Sequence, residues 1–131
     1  MNIRWLRILG AAVVAEIIPI VLLVGIVAIF GPTDSAQAQD FAARLGTWVG
    51  PIGGALATFL LAIWVARPLK ADHMLHGGLL GLFVALLDGG LLIASATEFQ
   101  WLFVFSGLGR IVAGLLGGYV TAVRSKKNDS T

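Results

Sequence analysis

The chain has 131 residues, no cysteine and one tyrosine, and only 12% of its residues are charged. Soluble domains carry about twice that share of charge. Without cysteine there are no disulfide frameworks, no thiolate nucleophiles and no cysteine-ligated metal or iron–sulfur centres. The net charge of +2 is too small to suggest a nucleic-acid partner. No phosphate-binding loop, activated nucleophile or catalytic triad is visible, so the chain reads as a non-enzyme with no cofactor.

Apolar length is abundant. The hydrophobic fraction is 58% and the mean hydropathy +0.93. Four runs, at about residues 5–30, 45–66, 74–95 and 99–123, each reach the roughly 20 apolar residues that cross a hydrocarbon core of about 30 Å. In lipid the backbone must satisfy its own hydrogen bonds, so such runs form helices. The expected fold is all-α, a single integral membrane four-helix bundle over residues 1–123. The connections read "GPTDSAQAQDFAAR", "RPLKADH" and "ATE", and a cytoplasmic basic tail covers 124–131. The first run is too long for a signal-peptide core and contains a glutamate, so it reads as an uncleaved helix.

Charge sets the orientation. Arg4, Arg7, Arg67, Lys70, Arg124, Lys126 and Lys127 fall at one end of the predicted bundle and Arg44 alone at the other. The positive-inside rule places both termini in the cytoplasm, as in a multi-pass protein of a bacterial inner membrane. Trp5 and Trp64 would mark the inner interface, Trp48 and Trp101 the outer one.

Small residues predict close packing. Gly50, Gly54, Thr58, Ala62 and Ala66 recur every fourth residue along the second run. Gly77 and Gly81 do so in the third, and Gly114 and Gly118 in the fourth. Such ridges let backbones approach closely, within the bundle or between copies in a homo-oligomer or larger membrane complex. Pro51 is expected near the outer start of its helix. Pro19 lies inside the first helix and is expected to kink it, freeing the Ala15 carbonyl. The second and fourth runs both finish in Val-Ala-Arg-type endings, "VAR" and "AVR", a faint sign of two similar helix pairs.

Three charges lie deep: Glu16, Asp88 and Arg110. Counting about 1.5 Å per residue from the outer ends puts Asp88 about 10 Å down, Arg110 about 15 Å and Glu16 about 20 Å. Arg110 thus lies between the carboxylates in height and is long enough to reach either. Asp88 shares a face with Gly77, Gly81 and Ala85; Arg110 with Gly107, Gly114, Gly117 and Thr121; Glu16 with Ala12, Pro19 and Ile20. Each charge costs about 2.5–3.5 kcal/mol at the centre of an isolated membrane helix, so pairing is expected, most simply Asp88 with Arg110. Arginine stays protonated, so the three sum to −1. One carboxylate, with Glu16 the candidate, must then hold a proton or cation or reach water. His73 and His76 share a face near the start of the third helix. They are weak metal candidates and read better as an interfacial anchor that helps cap that helix.

The segment "LGAAVVAEIIPI" resembles the first helix of small multidrug resistance transporters, four-helix proteins with an essential glutamate in an "LGGAILAE"-like context. The resemblance implies that Glu16 is a shared proton and cation site. That family's third-helix tryptophan motif is not visible here. Residues 50–127, with "GPIGGALATFLLAIWVARPLKADHMLHGGLLG" and "GRIVAGLLGGYVTAVRSKK", are similar to uncharacterised four-helix bacterial membrane proteins. The sequence favours a small oligomeric transporter or channel for a small solute, cation or proton. The alternative is a non-catalytic membrane subunit or scaffold in which the charges only specify packing. Phe59, Phe83, Phe103 and Tyr119 could supply aromatic walls to a cavity.

Overall fold

The structure is a computed structural model that describes residues 3–95 and 98–130. Its elements are four helices: α1 (Trp5–Phe30), α2 (Ser35–Ala66), α3 (His73–Ala94) and α4 (Trp101–Asp129). No strand occurs among the described residues. All four are long and apolar enough to span a membrane; the shortest has 22 residues and is about 33 Å long.

Two boundaries differ from the sequence expectation. The second helix begins at Ser35 rather than near residue 45. The Asp34 carboxylate accepts hydrogen bonds from the Ala36 and Gln37 N–H groups, at 3.1 and 3.0 Å, and caps the helix start. The alanine-rich "SAQAQDFAAR" then continues the helix despite its polarity. Pro51 therefore lies inside α2, not near its start. At the other end of the chain, α4 continues through residues 124–129 of the expected basic tail. Ala96 and Thr97 of the predicted "ATE" connection lie outside the described residues.

The interior mixes alanine and glycine with a few larger aliphatic side chains, while most large apolar side chains lie outside. The core is Ile8, Ala11, Ala12, Ala15, Ala62, Val65, Leu80 and Val84, while Leu6, Val21, Ile93, Phe105 and many other large apolar residues are exposed. An aqueous surface does not carry this much apolar area. The four tryptophans are also exposed.

Glycine explains the tight pairing. A methyl group at Gly77 would strike the Gly114 carbonyl, and one at Gly114 the Gly77 carbonyl. One at Gly81 would lie 2.5 Å from the Arg110 carbonyl oxygen, and one at Gly118 would reach the His73 backbone. Each step of four along α3 is matched by four back along α4, so the two run antiparallel in backbone contact. By contrast, α2 and α4 run parallel: Gly54 lies against Arg110, and Gly117 packs against Phe59 and Ala62 further on. Thr58, Ala62 and Ala66 are fully buried, so most of the α2 ridge is used inside the chain. Along their backbones, α1 touches α2 and α3 but not α4.

Gly77→Ala should therefore lower stability by about 1–3 kcal/mol, the usual cost of overpacking. Gly50, which has open space where a side chain would go, should tolerate alanine within about 0.5 kcal/mol, as a site free of contacts does. Thermal unfolding in detergent measures both.

Candidate functional site

Local geometry brings the three deep charges together. The buried residues of α1 are Ile8, Ala11, Ala12, Ala15, Glu16 and Pro19, one continuous helical stripe. Ile20, expected on the Glu16 face, is instead 52% exposed. Pro19 rests on Gly53 of α2, whose absent side chain would sit 3.5 Å from the proline Cβ. This contact seats α1 one turn from Glu16. On α3 and α4 the side chains tilt toward each helix's own N-terminus, and the helices are antiparallel. Asp88 and Arg110 therefore lean toward each other.

Arg110 meets both carboxylates through a single nitrogen. Its Nη1 donates to Glu16 Oε1 at 2.5 Å and lies 3.1 Å from Asp88 Oδ2. The simplest expected pair, Asp88 with Arg110, is thus half of a three-membered cluster. Glu16 and Arg110 are almost closed off, with side chains 10% and 3% exposed, whereas that of Asp88 is 22% exposed.

Gly54 makes the crossing possible. A methyl group there would lie 2.5 Å from Nη2, 2.7 Å from Nε and 2.9 Å from Cζ of Arg110. The guanidinium passes flat against bare α2 backbone to reach α1. Its Nε is buried and has no hydrogen-bond partner among the described residues. Spacing had marked Gly54 as a packing position; its role as a berth for the arginine follows only from the three-dimensional path of that side chain.

A cleft of about 470 Å³ opens beside the cluster, between the Ser35 end of α2 and the facing parts of α3 and α4. Asp88 and Arg110 lie on its lining and Glu16 does not. Gly46, Thr47, Gly50 and Pro51 form the α2 wall; Gln100, Phe103 and Ser106 contribute from the α4 side. Pro51 offers no N–H to the Thr47 carbonyl, leaving that oxygen without its helical partner. A proline near the helix start, as the sequence suggests for Pro51, would free no such carbonyl. The Thr47 hydroxyl donates to the Ala43 carbonyl at 3.0 Å. The polar residues on the cleft lining are Thr47, Asp88, Gln100, Ser106 and Arg110, set among apolar ones.

Other anticipated residues go elsewhere. Thr58 and Thr121 are buried and donate to Gly54 and Gly117 carbonyls of their own helices, at 2.7 and 3.0 Å. Of the aromatic residues considered, Phe103 lines the cleft; Phe83 packs edge-on against Trp5, and Tyr119 is 54% exposed. The His73 Nε2–H donates to the Leu69 carbonyl at 3.0 Å and the His76 Nδ1–H to the Asp72 carbonyl at 2.9 Å. Both rings thus brace the turn into α3, where Asp72 has a left-handed φ of 60°. No group of three or more metal-ligating side chains occurs among the described residues.

Comparison of the chain with family models, with curated proteins and with solved structures finds no match.

Removing the arginine should be costly. Arg110→Gln leaves two carboxylates uncompensated and should destabilise by about 3–5 kcal/mol. Adding Glu16→Gln and Asp88→Asn to the same chain should recover most of that loss. Chemical or thermal unfolding of the single and triple variants measures it.

Proposed function

We propose that the chain is a small multi-pass membrane protein that moves a small cation or a proton through the Glu16–Arg110–Asp88 cluster. The observation that carries this reading is the cleft ending on Asp88, the most accessible member of a cluster whose charges sum to −1. The basic residues at the end bearing both termini support a cytoplasmic location for it, with the cleft facing the opposite side of a bacterial inner membrane.

Arginine keeps its charge, so an added proton or cation neutralises the cluster. A cation entering the cleft meets Asp88, and Arg110 then serves Glu16. A proton on Glu16 frees Arg110 to serve Asp88 alone. The likeness of α1 to the first helix of small multidrug resistance transporters supports giving Glu16 the proton. An oligomer would have to use the large, exposed side chains, because the small-residue ridges are largely occupied within the chain.

A second reading, a packing role within a larger membrane complex, is favoured by one feature. The Glu16–Arg110 contact is nearly sealed and is the tie between two helices whose backbones do not touch.

Proteoliposomes loaded with a pH-sensitive dye, under an imposed cation gradient, separate the two. Proton-linked flux should be present in the wild type and largely lost in Glu16→Gln and Asp88→Asn, with folding retained. Wild-type flux in both variants, or none in the wild type, removes the transport reading and leaves the packing role. The absence of cysteine permits a clean accessibility test. Gly50→Cys should react with a membrane-impermeant thiol reagent added from the cleft side, and Ala62→Cys should not.

A further inference from the structure

The repeated "VAR" and "AVR" endings find a use that the charge cluster does not explain. Because α2 and α4 run parallel and adjacent, these endings bring Arg67 and Arg124 to one place. Both arginines line a cavity of about 300 Å³ between the ends of the two helices. Its walls are graded along the helix axes. Ile63 and Thr121 lie about one turn deeper, Arg67, Arg124 and Ser125 come next, and Asp129 lies about one turn beyond.

The charges in this cavity do not balance. Among the described residues neither Arg67 nor Arg124 forms an ion pair, and Asp129, on the same lining, closes none with them. Two guanidinium groups and one carboxylate leave +1, which a single phosphodiester would neutralise. Arginine forks match phosphate oxygens in geometry as well as charge. Arg4, Arg7, Lys70, Lys126 and Lys127 belong to the same end of the bundle and reinforce the field. Basic pockets between the cytoplasmic ends of membrane helices suit anionic headgroups.

We propose that the cavity between the ends of α2 and α4 binds the phosphate of an anionic phospholipid, with Arg67 and Arg124 as its ligands. Ser125 donates a hydroxyl to the same phosphate, and Ile63 borders the glycerol and first acyl carbons. Asp129, further out, accepts from hydroxyl groups of a glycerol headgroup. The occupant is a lipid rather than a free phosphate because Ile63, at the deep end of the cavity, offers an apolar contact that a free phosphate would not use. This inference rests on the membrane-spanning part of the proposed function and not on ion movement through the cleft.

Native mass spectrometry of the delipidated protein in detergent tests it, with phosphatidylglycerol, phosphatidylcholine and inorganic phosphate as probes. Phosphatidylglycerol should be retained about tenfold more than phosphatidylcholine, in keeping with an electrostatic headgroup site. Arg67→Gln with Arg124→Gln should abolish the preference, each single variant should weaken it, and Arg44→Gln, at the opposite end, should leave it intact. Both arginines are exposed, so the single variants keep the core and serve if the double variant does not fold. An unchanged preference in both single variants, or equal retention of the two lipids by the wild type, overturns the proposal. Displacement of phosphatidylglycerol by equimolar inorganic phosphate overturns it in favour of a free-phosphate site. Lipid preference without ion flux would overturn the transport reading alone, and flux without lipid preference would overturn this one alone.

Discussion

One nitrogen of one arginine organises the interior. Arg110 Nη1 is shared by Glu16 of α1 and Asp88 of α3, and the guanidinium reaches them across the bare backbone of Gly54 in α2. All four helices thus converge on a single side chain. A buried ion pair is weak evidence for stability, because desolvation offsets much of the attraction. Its structural consequence is specificity: only one register of α1 against the other three puts Glu16 within reach. Pro19 seated on Gly53 fixes the same register through shape.

The rest of the packing follows a different rule. In a soluble bundle large apolar side chains meet in the centre, driven together by water. Here alanine and glycine make the closest helix contacts, a few aliphatic residues such as Ile8 and Leu80 join them, and most large side chains point outward. Packing of this kind relies on close backbone approach and van der Waals contact, the rule for helices that associate in hydrocarbon. Gly77 against Gly114 and Gly81 against the Arg110 carbonyl show this at its tightest. The close approach of α3 to α4 also sets the height from which the Arg110 side chain extends.

Much of this was legible in the sequence. Runs of apolar residues located all four helices, four-residue spacing found the glycines that pack α3 on α4, and counting heights placed Arg110 within reach of both carboxylates. Three features were not legible, each for a physical reason. The polar stretch after Asp34 is helical because a cap and alanine propensity outweigh its hydrophilicity, which a hydropathy reading does not register. The sharing of Nη1 depends on side-chain direction, which spacing does not fix. Gly54 looked like any other member of its ridge, yet it faces a guanidinium and not a helix backbone.

The Glu16–Arg110 contact joins residues 94 positions apart in the chain. It therefore also bears on the order of assembly. During synthesis α1 emerges first, and its glutamate has no partner until nearly the whole chain has followed. An isolated helix carries about 2.5–3.5 kcal/mol of penalty for such a charge at the membrane centre. The Glu16 charge is compensated only once α4 has arrived, so the register of α1 is the last to be locked.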